Sequence, residues 1–395
     1  MSSQHLLGQL NDLHQMMNQL LESIPEAEAY RRYHPHLAPL AWYLGRSMYL
    51  ETYWLREVVQ GDDDMTTRLR DIFRPGPTVT REQISGLPPK DHLLNWAMQL
   101  QDENIRRLAN PRLLPSHPLR TGNQLELLIT QEHARQYEYM LMVLTQRQLQ
   151  LPHDYRAKAP LQASRPSIDA IDIQQGHYRI GAKQDPAAYD NEGPAQIVDL
   201  SSFRIDRNAT SNTAYLAFMQ EGGYQNPDLW DESGWVWRQQ NRPHPEHWRR
   251  DERGNWFAIG LNGPFDLTAG EPVTGLSRHE ASAYARWVAG LDSLAGAVLQ
   301  HEYQWEVAVR MRAIKGHGRA WEWCSNLFRP YDGYRPCEWP EGRTSEFDDD
   351  HYSLRGASIH TLNPLRRSTF RQSAPAGNRH LFTGLRLVFP PSAAS

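Results

Sequence analysis

The stretch EPVTGLSRHEASAYARW occupies residues 271–287 and contains the start signals of a helix. Ser277 is a residue type favoured at the N-cap. Glu280 follows three positions later, where a capping box places the carboxylate that bonds back to the N-cap backbone. With the next three residues included, the segment SRHEASAYARWVAG predicts a helix over Ser277–Gly290.

The residues around this helix have an irregular pattern. Ten of the 13 tryptophans fall between Trp230 and Trp339, among short apolar stretches and long loops. A second helix is predicted over Ser211–Gln220, capped by Thr210 or Ser211. Because each tryptophan buries a large apolar area, these side chains can form a core where regular structure is sparse. This half is therefore predicted to be an α+β domain in which loops outweigh helices and strands.

The N-terminal half, residues 1–155, is predicted to be helical. Apolar residues recur at helical spacing from Leu6 to Ile24. Further helices are predicted from about Pro39 to Val59, from Lys90 to about Ala109 and from about Thr121 to Leu149. Four amphipathic helices with polar connections indicate a helix bundle.

The stretch 151–175, LPHDYRAKAPLQASRPSIDAIDIQQ, has lost the helical periodicity and is typical of a connection between domains. The predicted organisation is a helical bundle over residues 1–155, a linker over 156–175 and the α+β domain over 176–395.

Composition excludes several function classes. The chain has 395 residues and a formal net charge of −4, so it lacks the basic surplus of a nucleic-acid-binding protein. Its 2 cysteines exclude a disulfide scaffold and a four-thiolate metal site. No apolar run reaches the roughly 18–20 residues of a membrane span, and the N-terminus does not resemble a secretory signal. We expect a cytoplasmic protein with neither membrane nor nucleic acid as partner, whose 17 histidines raise the question of a metal.

Seven blocks of the C-terminal half keep the order and approximate spacing of a known domain. They read DNE (190–192), FRIDRNATSNTAYLAFMQEGGY (203–224), EPVTGLSRHEASAYARW (271–287), YQWEVAVR (303–310), AWEWCSN (320–326), HYSLRGAS (351–358) and FTGLRLV (382–388). They resemble the formylglycine-generating or sulfatase-modifying-factor domain, a variant of the C-type lectin fold. The N-terminal half resembles the DinB-like four-helix bundle that precedes this domain in the EgtB-like sulfoxide synthases.

This resemblance implies a non-haem iron(II) enzyme. Such enzymes use O2 to join a sulfur or selenium donor, a thiol or a selenol, to a histidine derivative, as in ergothioneine, ovothiol and selenoneine synthesis. The family carries its first iron-binding histidine in a Trp-His-Leu-Gly-His-like block. Here the matching block is Trp42-Tyr43-Leu44-Gly45-Arg46, so Tyr43 stands at that position.

The other two family ligands belong to a His-x-x-x-His-x-Glu motif, which aligns here in two registers. The preferred register keeps Glu138 as the motif carboxylate and places Glu132 and Gln136 at the ligand positions. The alternative register uses His133 and Tyr137.

Tyr43, Glu132 and Gln136 would offer phenol, carboxylate and amide oxygens to a metal. A phenol with a pKa near about 10 is a poor ligand unless the metal itself deprotonates it. A metal-free interior, in which the Tyr43 hydroxyl donates to Glu132 or Gln136, is therefore favoured over a rearranged metal site.

The substrate and proton-donor residues are also taken from the resemblance. The family's substrate-binding Phe-Arg-Asn-Trp-Asp stretch reads Phe370-Arg371-Gln372-Ser373-Ala374 here, with Arg379 as the remaining candidate for the charged clamp. Tyr331 and Tyr334 lie where the family places a tyrosine that donates a proton near the iron.

Two hypotheses follow for function. One is an EgtB-like sulfoxide synthase with a remodelled iron site. The other is a catalytically silent member of that family, without a metal, that binds a ligand or pairs with an active partner enzyme.

Overall fold

The computed structural model of the protein describes residues 3–74, 79–291, 294–339, 341 and 347–392. Long helices dominate the N-terminal half, and short strands appear from Ala170 onward. The predicted α+β class, with the helical region first, is thereby confirmed.

The helical half packs around one apolar core. Its helices are α1 (Ser3–Glu22), α2 (Glu26–Ala29), α3 (Leu40–Thr52), α4 (Asp64–Phe73), α5 (Arg81–Ser85), α6 (Lys90–Ala109) and α7 (Gln124–Gln150), and a π-helix over Tyr53–Gln60 extends α3. Helices α1, α3 with its extension, α6 and α7 are the four that the apolar periodicity predicts. Both α6 and α7 pack against α1 and α3, which closes the bundle.

Helix α3 lies at the centre of this half, because every one of its residues is buried. Gly45 allows the Phe73 ring of α4 to approach so closely that a Cβ at this position would lie 2.3 Å from ring carbons. Arg46 faces the other half of the molecule, where its Nη2 lies 2.9 Å from Oε2 of Glu341. A helix surrounded on all sides in this way needs both halves to cover it.

The second half contains short strands in four sheets within the described residues. The strands are β1 (Ala170–Ile173), β2 (Gly176–Ile180), β3 (Gln196–Leu200), β4 (Phe203–Asp206), β5 (Trp248–Arg250), β6 (Trp256–Gly260), β7 (Gly263–Asp266), β8 (Val298–Leu299), β9 (Ala320–Leu327), β10 (His351–Ala357), β11 (Gln372–Pro375), β12 (Thr383–Leu385) and β13 (Leu387–Phe389). The larger sheets have the orders β1-β4-β13-β8 and β11-β10-β9-β12, and the smaller ones are β2-β3 and β5-β6-β7. Strand β12 runs parallel to β9, and the other pairings are antiparallel.

The segment between the halves is attached to the second one. The Tyr155 hydroxyl donates to Oδ1 of Asp266 at 2.8 Å, and the backbone N–H groups of Lys158 and Ala159 donate to the same carboxylate. Strand β1 already begins at Ala170, inside the predicted linker, and pairs with β4. The predicted linker is therefore a fixed connection, while the exact domain boundaries stay a prediction.

Helices α8 (Asn212–Gln220), α9 (Glu232–Gln240), α10 (Arg278–Ala289) and α11 (Glu302–Arg310) pack around these sheets. The predicted capping box of α10 is confirmed, since Ser277 and Glu280 exchange both of its hydrogen bonds. Helices α9 and α11 were not predicted. Each has nine residues, and α11 is capped by the ring of His301, which is an unusual N-cap residue.

Arginine–glutamate pairs, most of them buried, include several residues of the blocks that carry the family resemblance. The pairs are Glu192 with Arg367, Glu280 with Arg379, Glu302 with Arg371, Glu306 with Arg355 and Glu322 with Arg386. Removing one member of such a pair strands a buried charge, which is strongly destabilising. Much of the recognisable sequence of this half therefore serves its core.

Several helices of the first half have the length to cross a bilayer but carry many polar residues. Helix α7, for example, has 27 residues that include Glu126, Glu132, Arg135 and Glu138. In the part of the chain that the structure describes, no helix is long and apolar enough to span a membrane. The cytoplasmic location stays a prediction.

Candidate functional site

The middle of α7 forms a polar seam with the second half, and Glu138 is its centre. The Glu138 Oε1 accepts hydrogen bonds from Trp321 Nε1 at 2.9 Å, from Ser358 Oγ at 2.7 Å and from Thr361 Oγ1 at 2.9 Å. Burial raises the pKa of Glu138, although these three donors oppose the shift. The carboxylate therefore fixes α7 against the second half.

Glu132 lies further toward the N-terminus of α7 and is also buried. Its Oε1 accepts from the Tyr189 hydroxyl at 2.8 Å and lies 3.3 Å from Nη1 of Arg135. Burial, together with the neighbouring Glu132 charge, raises the pKa of the Tyr189 phenol well above its usual value. Glu132 is thus held by a neutral phenol and a guanidinium. The predicted donor to Glu132 or Gln136 was the Tyr43 hydroxyl, but the phenol that donates to Glu132 is that of Tyr189.

Tyr43 lies on α3, and its hydroxyl oxygen accepts a hydrogen bond from the backbone N–H of Ala38 at 3.1 Å. Its ring stacks on Tyr139 of α7 with centroids 5.4 Å apart and ring planes within 5°. Burial raises the pKa of the Tyr43 phenol. The side chain is therefore a neutral packing element at neutral pH.

The two registers of the family motif place different faces of α7 at the seam. Gln136 is buried one turn after Glu132, on the same side of the helix. His133 lies on another face, where its ring is 5.0 Å from that of His14 on α1. Glu138 of the preferred register lies at the seam, and the choice between the registers stays a prediction.

His14, Glu51 and His133 form a buried cluster inside the helical half. Oε2 of Glu51 lies 2.8 Å from Nε2 of His14 and 3.1 Å from Nε2 of His133. His14 and Glu51 were not among the site residues predicted from the sequence. The available signal was a polar residue on a buried helix face, since His14 interrupts the apolar stripe between Leu13 and Met17.

A small cavity lies at the seam beside Glu138. It has a volume of about 20 Å³, and its lining includes Arg135, Tyr139, Trp321, Phe370 and Gln372. A cavity of this size holds a single water, whereas ligand pockets measure roughly 300–1,000 Å³. Side chains therefore fill most of the space at the predicted substrate position.

A much larger cleft, of about 970 Å³, opens between the two halves at the C-terminal end of α7. Its charged and aromatic lining residues include Asp231, Trp237, Arg242, Arg249, Asp349 and Asp350. Arg379 lies at its base, where Nε is 2.9 Å from Oε2 of Glu246. Burial lowers the pKa of His34 at the rim to about 4, so this ring is neutral at neutral pH. The cleft therefore presents both signs of charge beside an indole face.

Comparison with known proteins agrees with this architecture. Residues 156–316 match the sulfatase-modifying factor enzyme 1-like domain. A hercynine oxygenase of Mycolicibacterium smegmatis is 28% identical over 93% of this chain and 95% of its own length. A hercynine oxygenase of Mycolicibacterium thermoresistibile is 25% identical over 93% of this chain and 91% of its own. The chain therefore resembles the EgtB-like hercynine oxygenases along most of its length.

A solved structure, PvdO from Pseudomonas aeruginosa, covers 59% of the EgtB-like chain and 100% of its own, with a TM-score of 0.41 and 14% identity.

The resemblance to EgtB-like sulfoxide synthases implies iron(II), which the residues at the three ligand positions would have to hold. Iron(II) oxygenases use imidazole and carboxylate ligands and keep open coordination positions. In this EgtB-like chain Tyr43 is a protonated phenol, and Glu132 is already engaged by Tyr189 and Arg135. Gln136 supplies a neutral amide. These three residues do not fit iron(II).

The four residues predicted to bind substrate lie in different parts of the second half. Arg371 is buried and makes two 2.8 Å hydrogen bonds to Glu302, so it serves the core of the second half. Gln372 and Ser373 begin strand β11, and Gln372 lines the small cavity. Of this set, Arg379 lines the large cleft. A substrate role for all four stays a prediction.

The two tyrosines predicted as proton donors have different environments. Tyr331 is buried, and Cζ of the Arg371 guanidinium lies 4.0 Å from the centroid of the Tyr331 ring. The Tyr331 hydroxyl has no hydrogen-bond partner among the described residues. Tyr334 donates to Oδ2 of Asp190 at 2.8 Å. The structure thus places Tyr331 in the packed core and Tyr334 in a loop contact, and their catalytic role stays a prediction.

Proposed function

We propose that this EgtB-like chain binds a small zwitterionic histidine derivative in the large cleft, without iron at Tyr43, Glu132 and Gln136. Hercynine, the trimethylammonium betaine of histidine, is the compound in the names of the relatives. The proposal rests on a difference in volume. The cleft measures about 970 Å³, whereas the cavity at the predicted substrate position measures about 20 Å³.

The chemistry of the cleft matches a betaine. A quaternary ammonium group is attracted to an indole ring, and Trp237 lines the cleft, with the Arg379 guanidinium 5.4 Å from its ring centroid. A carboxylate is attracted to guanidinium groups, which Arg242 and Arg249 supply. The acidic residues Asp349 and Asp350 add a second attraction for the cationic end.

A second large cavity suits such a ligand less well. It measures about 600 Å³ and lies beside β6 and β7. Apart from Glu271 and Arg319, its lining residues are apolar or uncharged at neutral pH. A zwitterion loses hydration there without gaining charged partners, which is unfavourable.

The other candidate is the sulfoxide synthase activity of ergothioneine-type pathways. It is favoured by similarity to hercynine oxygenases along 93% of the chain. It requires iron(II), O2 and a thiol or selenol donor, and the residues at the family ligand positions do not fit that metal. If the chain binds the histidine derivative without converting it, we expect it to act together with an active partner enzyme. This partner is part of the proposal.

The proposal is tested by titrating hercynine into the full chain, freed of metal by dialysis against a chelator, in a calorimeter. We expect saturable binding without iron. Trp237→Ala is expected to weaken binding by about 3–30-fold, the range of a cation–π contact. Val236→Ala is the matched control, because this neighbour on α9 is 50% exposed and does not line the cleft.

Two outcomes would contradict the proposal. Hercynine that binds only after anaerobic loading with iron(II) would favour the synthase hypothesis instead. Equal weakening by both variants would show that the ligand lies elsewhere, and circular dichroism checks that both variants are folded.

A further inference from the structure

The cluster of His14, Glu51 and His133 joins three helices of the N-terminal half. The three side chains come from α1, α3 and α7, and each is at most 2% exposed. One ligand atom from each residue lies within 4.8 Å of the others. The cluster is distinct from the family positions Tyr43, Glu132 and Gln136, and the function proposed above does not use it.

The hydrogen bonds of His133 determine which of its ring nitrogens carries a hydrogen. Nδ1 lies 3.0 Å from the backbone carbonyl oxygen of Ile129, and a carbonyl can only accept. In the neutral ring Nδ1 is therefore protonated, and Nε2 presents a lone pair to Oε2 of Glu51 at 3.1 Å. Two acceptors that face each other at this distance repel unless a cation lies between them.

Other atoms of the cluster also lack partners. Oε1 of Glu51 and Nδ1 of His14 have no hydrogen-bond partner among the described residues. Buried polar atoms are nearly always satisfied, so each exception needs an explanation. A bound cation would satisfy the unpaired lone pairs of Glu51 and His133 together, although it would not supply a partner for Nδ1 of His14.

We propose that this cluster is a binding site for a divalent transition-metal ion such as zinc. Two imidazole nitrogens and a carboxylate form a donor set that suits zinc, and Glu51 can supply its second oxygen as the fourth donor. The contact from His133 Nδ1 to the Ile129 carbonyl is the type of outer hydrogen bond that orients a metal-bound histidine. Ligand atoms around tetrahedral zinc lie about 3.3 Å apart, so binding requires the observed 2.8 and 3.1 Å separations to open by a few tenths of an ångström.

This site is closed. None of its three residues lines the cleft or the cavities described above. A metal here has no room for a substrate, so its role is to hold α1, α3 and α7 together. The competing explanation is a proton on His133, which would make an imidazolium–carboxylate pair without a metal.

The experiment loads the full chain with Zn2+, removes free metal by gel filtration and measures bound zinc by elemental analysis. We expect about one zinc per chain, together with a higher melting temperature in the presence of zinc. Glu51→Gln and His133→Asn are each expected to lower zinc affinity at least about 10-fold, because losing even an outer-shell partner of a metal ligand costs about 10–100-fold. The control is the double variant His34→Asn/His36→Asn at the cleft, which is expected to retain zinc.

The proposal fails if the folded chain retains less than about 0.1 zinc per chain, or if Glu51→Gln binds zinc as the unaltered chain does. It also fails if the control loses the zinc, which would place the ion at the cleft. Should the ligand variants not fold, X-ray absorption of the zinc-loaded unaltered chain decides. Two imidazoles with oxygen donors are expected, and a different ligand set overturns the assignment.

Discussion

Glu302 shows at the scale of one residue how the second half depends on buried charge. Its two oxygens each lie 2.8 Å from a nitrogen of Arg371, and Arg355 lies 3.7 Å away. Burial opposes ionisation, but the two arginines outweigh it and lower the pKa of Glu302 from 4.5 to about 2. A folded-state pKa below the unfolded one stabilises the protein above pH 4.5, and this contribution is lost as pH falls toward 2.

We therefore expect the free energy of unfolding to fall as pH is lowered from 4.5 toward 2, measured by urea denaturation. Glu302→Gln should flatten this dependence, because the amide does not titrate. Glu252→Gln is the control, since that carboxylate is 78% exposed beside Arg156. An unchanged pH dependence in Glu302→Gln would contradict the assignment.

Contacts between residues that are distant along the chain could not be predicted from the sequence. Similarity to the family motif identified Glu132 as a residue of interest, but its phenol partner is Tyr189, 57 positions further along. Glu51 lies within a helix that was predicted correctly, yet its two histidines come from α1 and α7. Partners of this kind are set by how helices pack, and local spacing along the chain does not contain that information.

At the scale of the element, glycines on two helices allow a matched comparison. A Cβ on Gly45 of α3 would lie 2.3 Å from carbons of the buried Phe73 ring, whereas one on Gly8 of α1 meets nothing within 4 Å. Gly45→Ala is expected to destabilise the protein by about 1–3 kcal/mol through overpacking. Gly8→Ala is expected to stabilise it by up to about 1 kcal/mol, since alanine favours helix. Urea denaturation measures both, and a stabilised Gly45→Ala would show that α4 moves freely away from α3.

The long helices and the largely buried α8 were predictable, whereas the short helices α9 and α11 were not. Helices α1, α6 and α7 span 20 or more residues, so several turns repeat the apolar pattern. Helix α9 spans nine residues and buries only Gly234, so its sequence resembles that of a polar loop. The core of the second half supplies the stability that this short helix lacks by itself.

At the scale of the whole molecule, Glu138 connects the two halves through Trp321, Ser358 and Thr361. Glu138→Ala removes the acceptor and leaves these donors buried, which is expected to cost about 2–4 kcal/mol of unfolding free energy. Glu103→Ala is the control, because this residue of α6 is 47% exposed and forms an ion pair with Arg107, one turn further along the same helix. A loss below about 0.5 kcal/mol for Glu138→Ala would show that water replaces the carboxylate at the seam.

The pairing of Arg46 with Glu341 has a consequence for synthesis. The two residues are 295 positions apart, so Glu341 leaves the ribosome about 15–60 s after Arg46 at usual translation rates of about 5–20 residues per second. Until then the guanidinium can donate through Nη1 to the Phe73 carbonyl at 2.7 Å, but its Nη2 has to remain hydrated, so this face of α3 stays open. The helical half is synthesised first, but its packing around Arg46 is completed only after Glu341 has been synthesised.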